Sequence, residues 1–146
     1  MITRFFLLLT LAIAFSSSAF ADSHGFTVSG EVSFTEKGVI LLQLLNATQY
    51  SEGQSSELGT AVKVGDAEMA AGKAAFAFEG VPAGEYLLQG FQDVNGNGEM
   101  DSGFAGPTEP WVMYKYTPSA FSEPEFDELK VAVAENVSGL SFEVKK

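Results

Sequence analysis

The run Asp93-Val94-Asn95-Gly96-Asn97-Gly98-Glu99-Met100-Asp101 carries the most specific chemistry in the chain. It places oxygen-bearing side chains on alternate residues, with glycines where a backbone wrapping a hard cation must turn sharply. With Asp93 as position one, Asn95 and Asn97 stand at three and five, Gly98 at six, the Glu99 carbonyl at seven and Asp101 at nine. That reproduces the first nine positions of the loop in helix–loop–helix calcium sites. Position twelve is Phe104, where such a loop needs a bidentate glutamate, and strand and irregular sequence stand where the two helices would be. The missing ligand is expected from Glu109, brought back by turns at Pro107 and Pro110, or from water. Oxygen donors without sulfur or imidazole favour Ca2+ over zinc or copper. The low charge count predicts weak affinity, on the order of 10⁻⁴ to 10⁻³ M. The competing reading makes Asn95-Gly96 and Asn97-Gly98 simple turn dipeptides, with Asp93 and Asp101 bonded to local amides.

Just beyond this loop, Trp111, Tyr114, Tyr116 and Phe121 are interleaved with Met113 and Lys115. Aromatics on a loop form recognition surfaces for a protein or a glycan, or they close an open end of the fold by packing onto the core. A cation that ordered Ser102 to Phe121 would also fix these rings. Catalytic groups are sparse. The one histidine, His24, sits near the expected mature terminus, and there is no cysteine. No serine has a histidine partner at a fixed place, which leaves only carboxylate pairs such as Asp93 with Glu109 or Glu123 with Glu125. No catalytic residue is assigned. A binding or structural role is expected, with a carboxylate-based hydrolase of envelope glycans and a carrier of small apolar ligands as alternatives.

Export is written at the start of the chain. Met1-Ile2-Thr3-Arg4 precedes an apolar run from Phe5 to Phe15, then Ser16 to Ala21 with small residues at the minus-three and minus-one positions. This predicts a signal peptide over 1–21 and one domain over 22–146 in the periplasm or outside the cell. The run is too short for a membrane span, and without cysteine no lipid anchor forms. Cleavage removes Arg4, the only arginine, leaving seven lysines against 19 acids, a formal charge of −12 (7 − 19). Such a chain repels phosphate backbones, so nucleic acid is not an expected partner. A monomer is expected.

The elements that must position the loop read as short strands. Phe26, Val28, Val32 and Phe34 fall on one face at period two, and Val39 to Leu45 follows after a turn at Glu36-Lys37-Gly38, which predicts a hairpin. Ser51 to Gly59 reads as a loop, Thr60 to Val64 as a strand, and Asp66 to Gly72 as one helical turn stopped by Gly72. Lys73 to Phe78 alternates again, Gly80 to Gly84 is a tight connection, and Glu85 to Gln92 delivers the chain to the loop. Four prolines between Ser102 and Glu125 exclude a central strand there. Glu125 to Leu129 reads as a helical turn. Strands at Leu129 to Val133 and Leu140 to Val144, joined through Asn136 to Gly139, bring the count to about seven. The pattern is that of an all-β, antiparallel β-sandwich.

Four stretches carry a family resemblance: Val81-Pro82-Ala83-Gly84-Glu85-Tyr86, the Asp93–Asp101 loop, Gly106-Pro107-Thr108-Glu109-Pro110, and Pro124-Glu125-Phe126-Asp127-Glu128-Leu129. Together they resemble the bacterial domain-of-unknown-function family numbered 2141. The resemblance implies a small exported protein with a transthyretin-like or immunoglobulin-like sandwich and no assigned activity. Two departures stand out. Gln92 occupies a position where the family commonly has histidine, and Trp111 to Tyr116 replaces an asparagine-rich aromatic segment.

Overall fold

The computed structural model describes residues 24–117 and 123–146. The expected signal peptide and Phe121 lie outside the described residues. In chain order the elements are β1 (Phe26–Ser33), β2 (Gly38–Leu45), α1 (Ala47–Glu52), β3 (Gly59–Val64), α2 (Asp66–Ala71), β4 (Lys73–Val81) and β5 (Gly84–Asp93). There follow the two-residue strands β6 (Ser102–Gly103) and β7 (Gly106–Pro107), then β8 (Trp111–Met113), α3 (Phe126–Leu129), β9 (Val131–Val133) and β10 (Val137–Glu143). One sheet runs β10-β1-β4 and the other β3-β2-β5-β8, with β9 on the start of β5; β6 and β7 pair with each other.

Period-two alternation decides what meets between the sheets. Val28 and Val32 of β1 and Phe76 and Phe78 of β4 share one core with Ile40, Leu42 and Leu44 of β2 and Leu88 of β5. Each such side chain contributes about 1.5–3 kcal/mol by leaving water. The fold is therefore the expected all-β sandwich, with one difference in detail: β1 and β10 pair in parallel. At one corner the sheets are joined, because Trp111 and Lys145 exchange backbone bonds of 3.1 and 3.2 Å. Among the described residues no helix is long and apolar enough to cross a membrane.

The expected hairpin of β1 with β2 does not form. β1 pairs with β4 and β10, and β2 with β3 and β5. Alternation specifies which face of a strand is buried and leaves its partner open. The Glu36-Lys37-Gly38 turn instead carries the chain from one sheet to the other. Gly38 adopts φ 146°, and a Cβ there would stand 2.4 Å from the Asp93 carbonyl oxygen, so the crossover passes directly against the end of β5. β9 and β10 likewise lie in different sheets.

A helix precedes the expected Ser51–Gly59 loop and runs into it. Asn46 Oδ1 accepts the Gln49 N–H at 2.9 Å and Gln49 Oε1 accepts the Asn46 N–H at 3.0 Å, a reciprocal capping box that starts α1. α1 packs on β2 and β5. There Leu45 and Leu87, cross-strand neighbours on the side away from Leu44 and Leu88, are buried outside the main core. Tyr50 ties α1 to the α3 segment through its hydroxyl on the Pro124 carbonyl (2.8 Å) and its ring on Phe126.

α2 is the expected turn, stopped at Gly72. Glu68 Oε2 accepts the Gly65 N–H at 2.9 Å. Bonds from its own backbone amide and from Gly65 hold the Glu68 carboxyl below its ordinary value. Because the folded value is depressed, the bond stabilises above the ordinary glutamate range and is lost as pH falls through the folded value. Glu68→Gln keeps an acceptor for Gly65 and removes the titration. Thermal unfolding is expected to show wild type above Glu68→Gln at neutral pH, with the gap closing on acidification.

Candidate functional site

β5 ends at Asp93, whose carboxylate is buried at 6% exposure. A buried carboxylate must be hydrogen-bonded to remain charged. Asp93 Oδ1 accepts the N–H groups of Gly96 (2.7 Å) and Asn97 (3.2 Å), and Oδ2 accepts that of Gly98 (2.8 Å). Wrapping the chain around one side chain in this way requires left-handed backbone at Gly96 (φ 78°) and Gly98 (φ 77°), where glycine is unstrained. Asn95 Oδ1 accepts the Asn97 N–H at 3.0 Å, and Asn97 Oδ1 accepts the Glu99 N–H at 2.9 Å. The NH2 groups of Asn95 and Asn97 both donate to the Asp101 carboxylate, the latter at 3.1 and 3.2 Å.

Glu109 returns to this loop as the Pro107 and Pro110 turns suggest. Only 5% exposed, it accepts the Val94 N–H on Oε1 (2.8 Å) and the Asp101 N–H on Oε2 (3.2 Å), so one carboxylate joins the loop's two ends. Sequence reasoning gave Glu109 a ligand's part and missed this backbone clamp. Its signal was the return of an acid after two proline turns. Gln92, singled out in the sequence only as a departure from the family's histidine, is fully buried beside Ile40 in the cross-strand register. It donates from Nε2 to the Glu36 carbonyl at 2.6 Å, tying the sheet crossover to the end of β5. Its Oε1 is the one buried side-chain atom of its kind without a hydrogen-bond partner among the described residues.

The six expected oxygen ligands are thus gathered in one loop and its clamp, with the Glu99 side chain exposed. Among the described residues no group of three acidic, histidine or cysteine side chains is placed to hold a metal. Any ion here must draw on asparagine and backbone oxygens. The loop oxygens also have protein partners already, as the turn reading expects.

The aromatics divide. Tyr114 packs on the core and meets the Phe142 ring edge-on at 6.1 Å, which is the capping role. Trp111 and Tyr116 are half-buried, with ring centroids 6.0 Å apart. Trp111 belongs to the outer face of the larger sheet. Register places Ala61, Leu41, Phe91 and Trp111 side by side across four strands, and Gly59, Gln43, Gln89 and Met113 in the next row. Two adjoining surface cavities of about 490 and 540 Å3 lie on this face and share Gln43, Gly90 and Phe91; Met100 and Pro107, from either side of the β6–β7 hairpin, line the second. Phe104 at that hairpin's tip is fully exposed, at 111%.

The chain belongs to a family described as uncharacterised proteins conserved in bacteria (DUF2141), whose model matches residues 31–139. Neither a curated protein nor a solved structure matches it.

Replacing Glu109 by glutamine keeps its shape but turns an NH2 group toward one of the two amides. A charge-assisted bond is lost and a buried donor is left unpaired. Chemical denaturation is expected to show Glu109→Gln destabilised by roughly 1.5–3 kcal/mol, with an unchanged m-value.

Proposed function

We propose that this family member is an exported, non-enzymatic binding module whose Asp93–Asp101 loop takes up a calcium ion. The observation that carries the reading is the state of Asp101. Its carboxylate faces two amide NH2 groups, from Asn95 and Asn97, where a cation would supply full charge. Meanwhile Asp93 already holds the backbone in a wrapped turn. Rotation of the two amides turns oxygens toward the ion, and the ion bonds replace those these oxygens now accept from the Asn97 and Glu99 N–H groups. A carboxylate oxygen that accepts one N–H, as Asp93 Oδ2 does, keeps a second lone pair for a ligand bond. Asp93 and Asp101 then provide two negative charges, Asn95, Asn97 and the Glu99 carbonyl provide neutral oxygens, and Glu109 or water completes the six to eight that calcium takes. So few charges suit the weak sites of extracellular modules, with dissociation constants on the order of 10⁻⁴ to 10⁻³ M.

The leader-like Met1 to Ala21 supports export. The non-enzymatic part rests on how the carboxylates are used. Asp93 and Glu109 give their oxygens to backbone amides of their own loop, and Glu123 and Glu125 are exposed. The space between the sheets holds a core of aliphatic and aromatic side chains, which supports a surface site over an internal one.

Thermal unfolding of the purified protein in chelator, in calcium and in magnesium tests the loop. At about 10 mM calcium the linkage relation gives about 1–3 kcal/mol, a midpoint rise of roughly 4–10 °C. Magnesium should give little. Asp101→Asn, which keeps the loop's shape, should abolish the rise. Equal midpoints in calcium and chelator would overturn the calcium reading.

A further inference from the structure

We propose that the outer face of the β3-β2-β5-β8 sheet binds a neutral glycan, with Phe91 and Trp111 as the platform and Gln43 and Gln89 as the hydroxyl partners. The inference deepens the binding-module reading by naming a ligand class, and it does not depend on calcium. Its first support is electrostatic. Charged residues make up 18% of the chain, yet among the described residues none lines either cavity on this face. The acidity of the whole chain repels anionic ligands, and the two cavities offer an ion no charged lining. The nearest charges stand at their margins, Lys63 one row beyond Ala61 and Glu143, Lys145 and Lys146 beside the far side of Trp111. An uncharged ligand is what this combination matches.

The second support is the order of the two rows. Phe91 and Trp111 are directly paired across β5 and β8, so both side chains stand on one face at adjacent positions. Neighbouring strands lie about 4.8 Å apart, which makes the four-strand row roughly 14 Å long. In the next row Gln43 and Gln89 are paired across β2 and β5. Gln43 Oε1 accepts the Ser56 N–H at 3.1 Å, which fixes that amide and leaves its NH2 to donate. Gln89 makes no side-chain hydrogen bond among the described residues, so both ends of its amide serve a ligand. A sugar ring has apolar C–H faces and a hydroxyl edge, and it satisfies both rows at once. A hydrocarbon chain would cover the two amides without bonding them, which is unfavourable. A peptide strand would seek an open sheet edge, which in this sheet is β3 rather than the face, since β8 exchanges backbone bonds with Lys145 on its far side.

Trp111 is the only tryptophan, so its emission reports on this face directly. The experiment titrates the purified protein with neutral gluco-, manno-, xylo- and galacto-oligosaccharides. A polyuronate, decanoate and an apolar neutral peptide serve as competing classes, and the series is run in chelator and in calcium. A saturable emission change is expected with at least one neutral series and with none of the competing classes. Gln89→Ala, judged folded by its unchanged thermal midpoint, should weaken binding about fivefold to tenfold. Trp111→Ala, read by calorimetry, should weaken it by about tenfold or more. No response to any neutral series, or a response only to decanoate, polyuronate or peptide, overturns the proposal. Glycan binding that is equal in chelator and calcium leaves this site standing whatever becomes of the loop reading. A calcium shift without glycan binding does the reverse.

Discussion

Two buried carboxylates in an acidic chain set the conditions for everything at the end of β5. Charge repulsion alone would drive Asp93 and Glu109 into solvent, since burying an unpaired carboxylate costs several kcal/mol. They remain inside because Asp93 collects the amides of Gly96, Asn97 and Gly98 while Glu109 collects those of Val94 and Asp101. The loop is therefore folded around acceptors, and its amides are the counter-charge. Its path fixes where Met100 leaves the turn and, through the Thr108 N–H bond to the Asp101 carbonyl, where Pro107 returns. Those two residues form one wall of the sheet-face groove. The loop thus sets one wall of the groove.

The sequence made the loop legible because all its bonds but those to Glu109 are local. Asp93, Asn95, Asn97 and the glycines act within nine residues of one another, and spacing alone describes them. Glu109 was legible as a partner but not in its role, because a carboxylate that ligates an ion and one that clamps two amides look alike in sequence. The strands were legible for the same reason as the loop, since alternation is local. Their partners were not. Val28 and Ile40 both announce a buried face, yet they lie in opposite sheets, a fact set by the Gly38 crossover and its contact with Asp93. The Asn46–Gln49 capping box stood in plain sight, between the strand read to Leu45 and the loop read from Ser51.

The sheet-face rows were illegible for a deeper reason. Phe91 and Trp111 are separated by the whole loop and hairpin, and only cross-strand register brings them together. Read along the chain, Trp111, Tyr114 and Tyr116 form one aromatic cluster. In the fold they divide by face, with Tyr114 on the core and Trp111 on the groove. The sequence offered these aromatics either as a recognition surface or as a cap on the core, and the pairing of β5 with β8 is what separates Trp111 from Tyr114.

Native-state hydrogen exchange, read amide by amide, tests most directly whether the two carboxylates hold the loop. The amides of Val94, Gly96, Gly98 and Asp101 bond to buried side chains, whereas that of Glu99 bonds to the exposed Asn97. The account predicts that the first four exchange slowly, near the rates of β5, and that Glu99 exchanges faster. Uniformly fast exchange across 94–101 would contradict it. The loop would then be an ordinary surface turn, and the carboxylates its passengers.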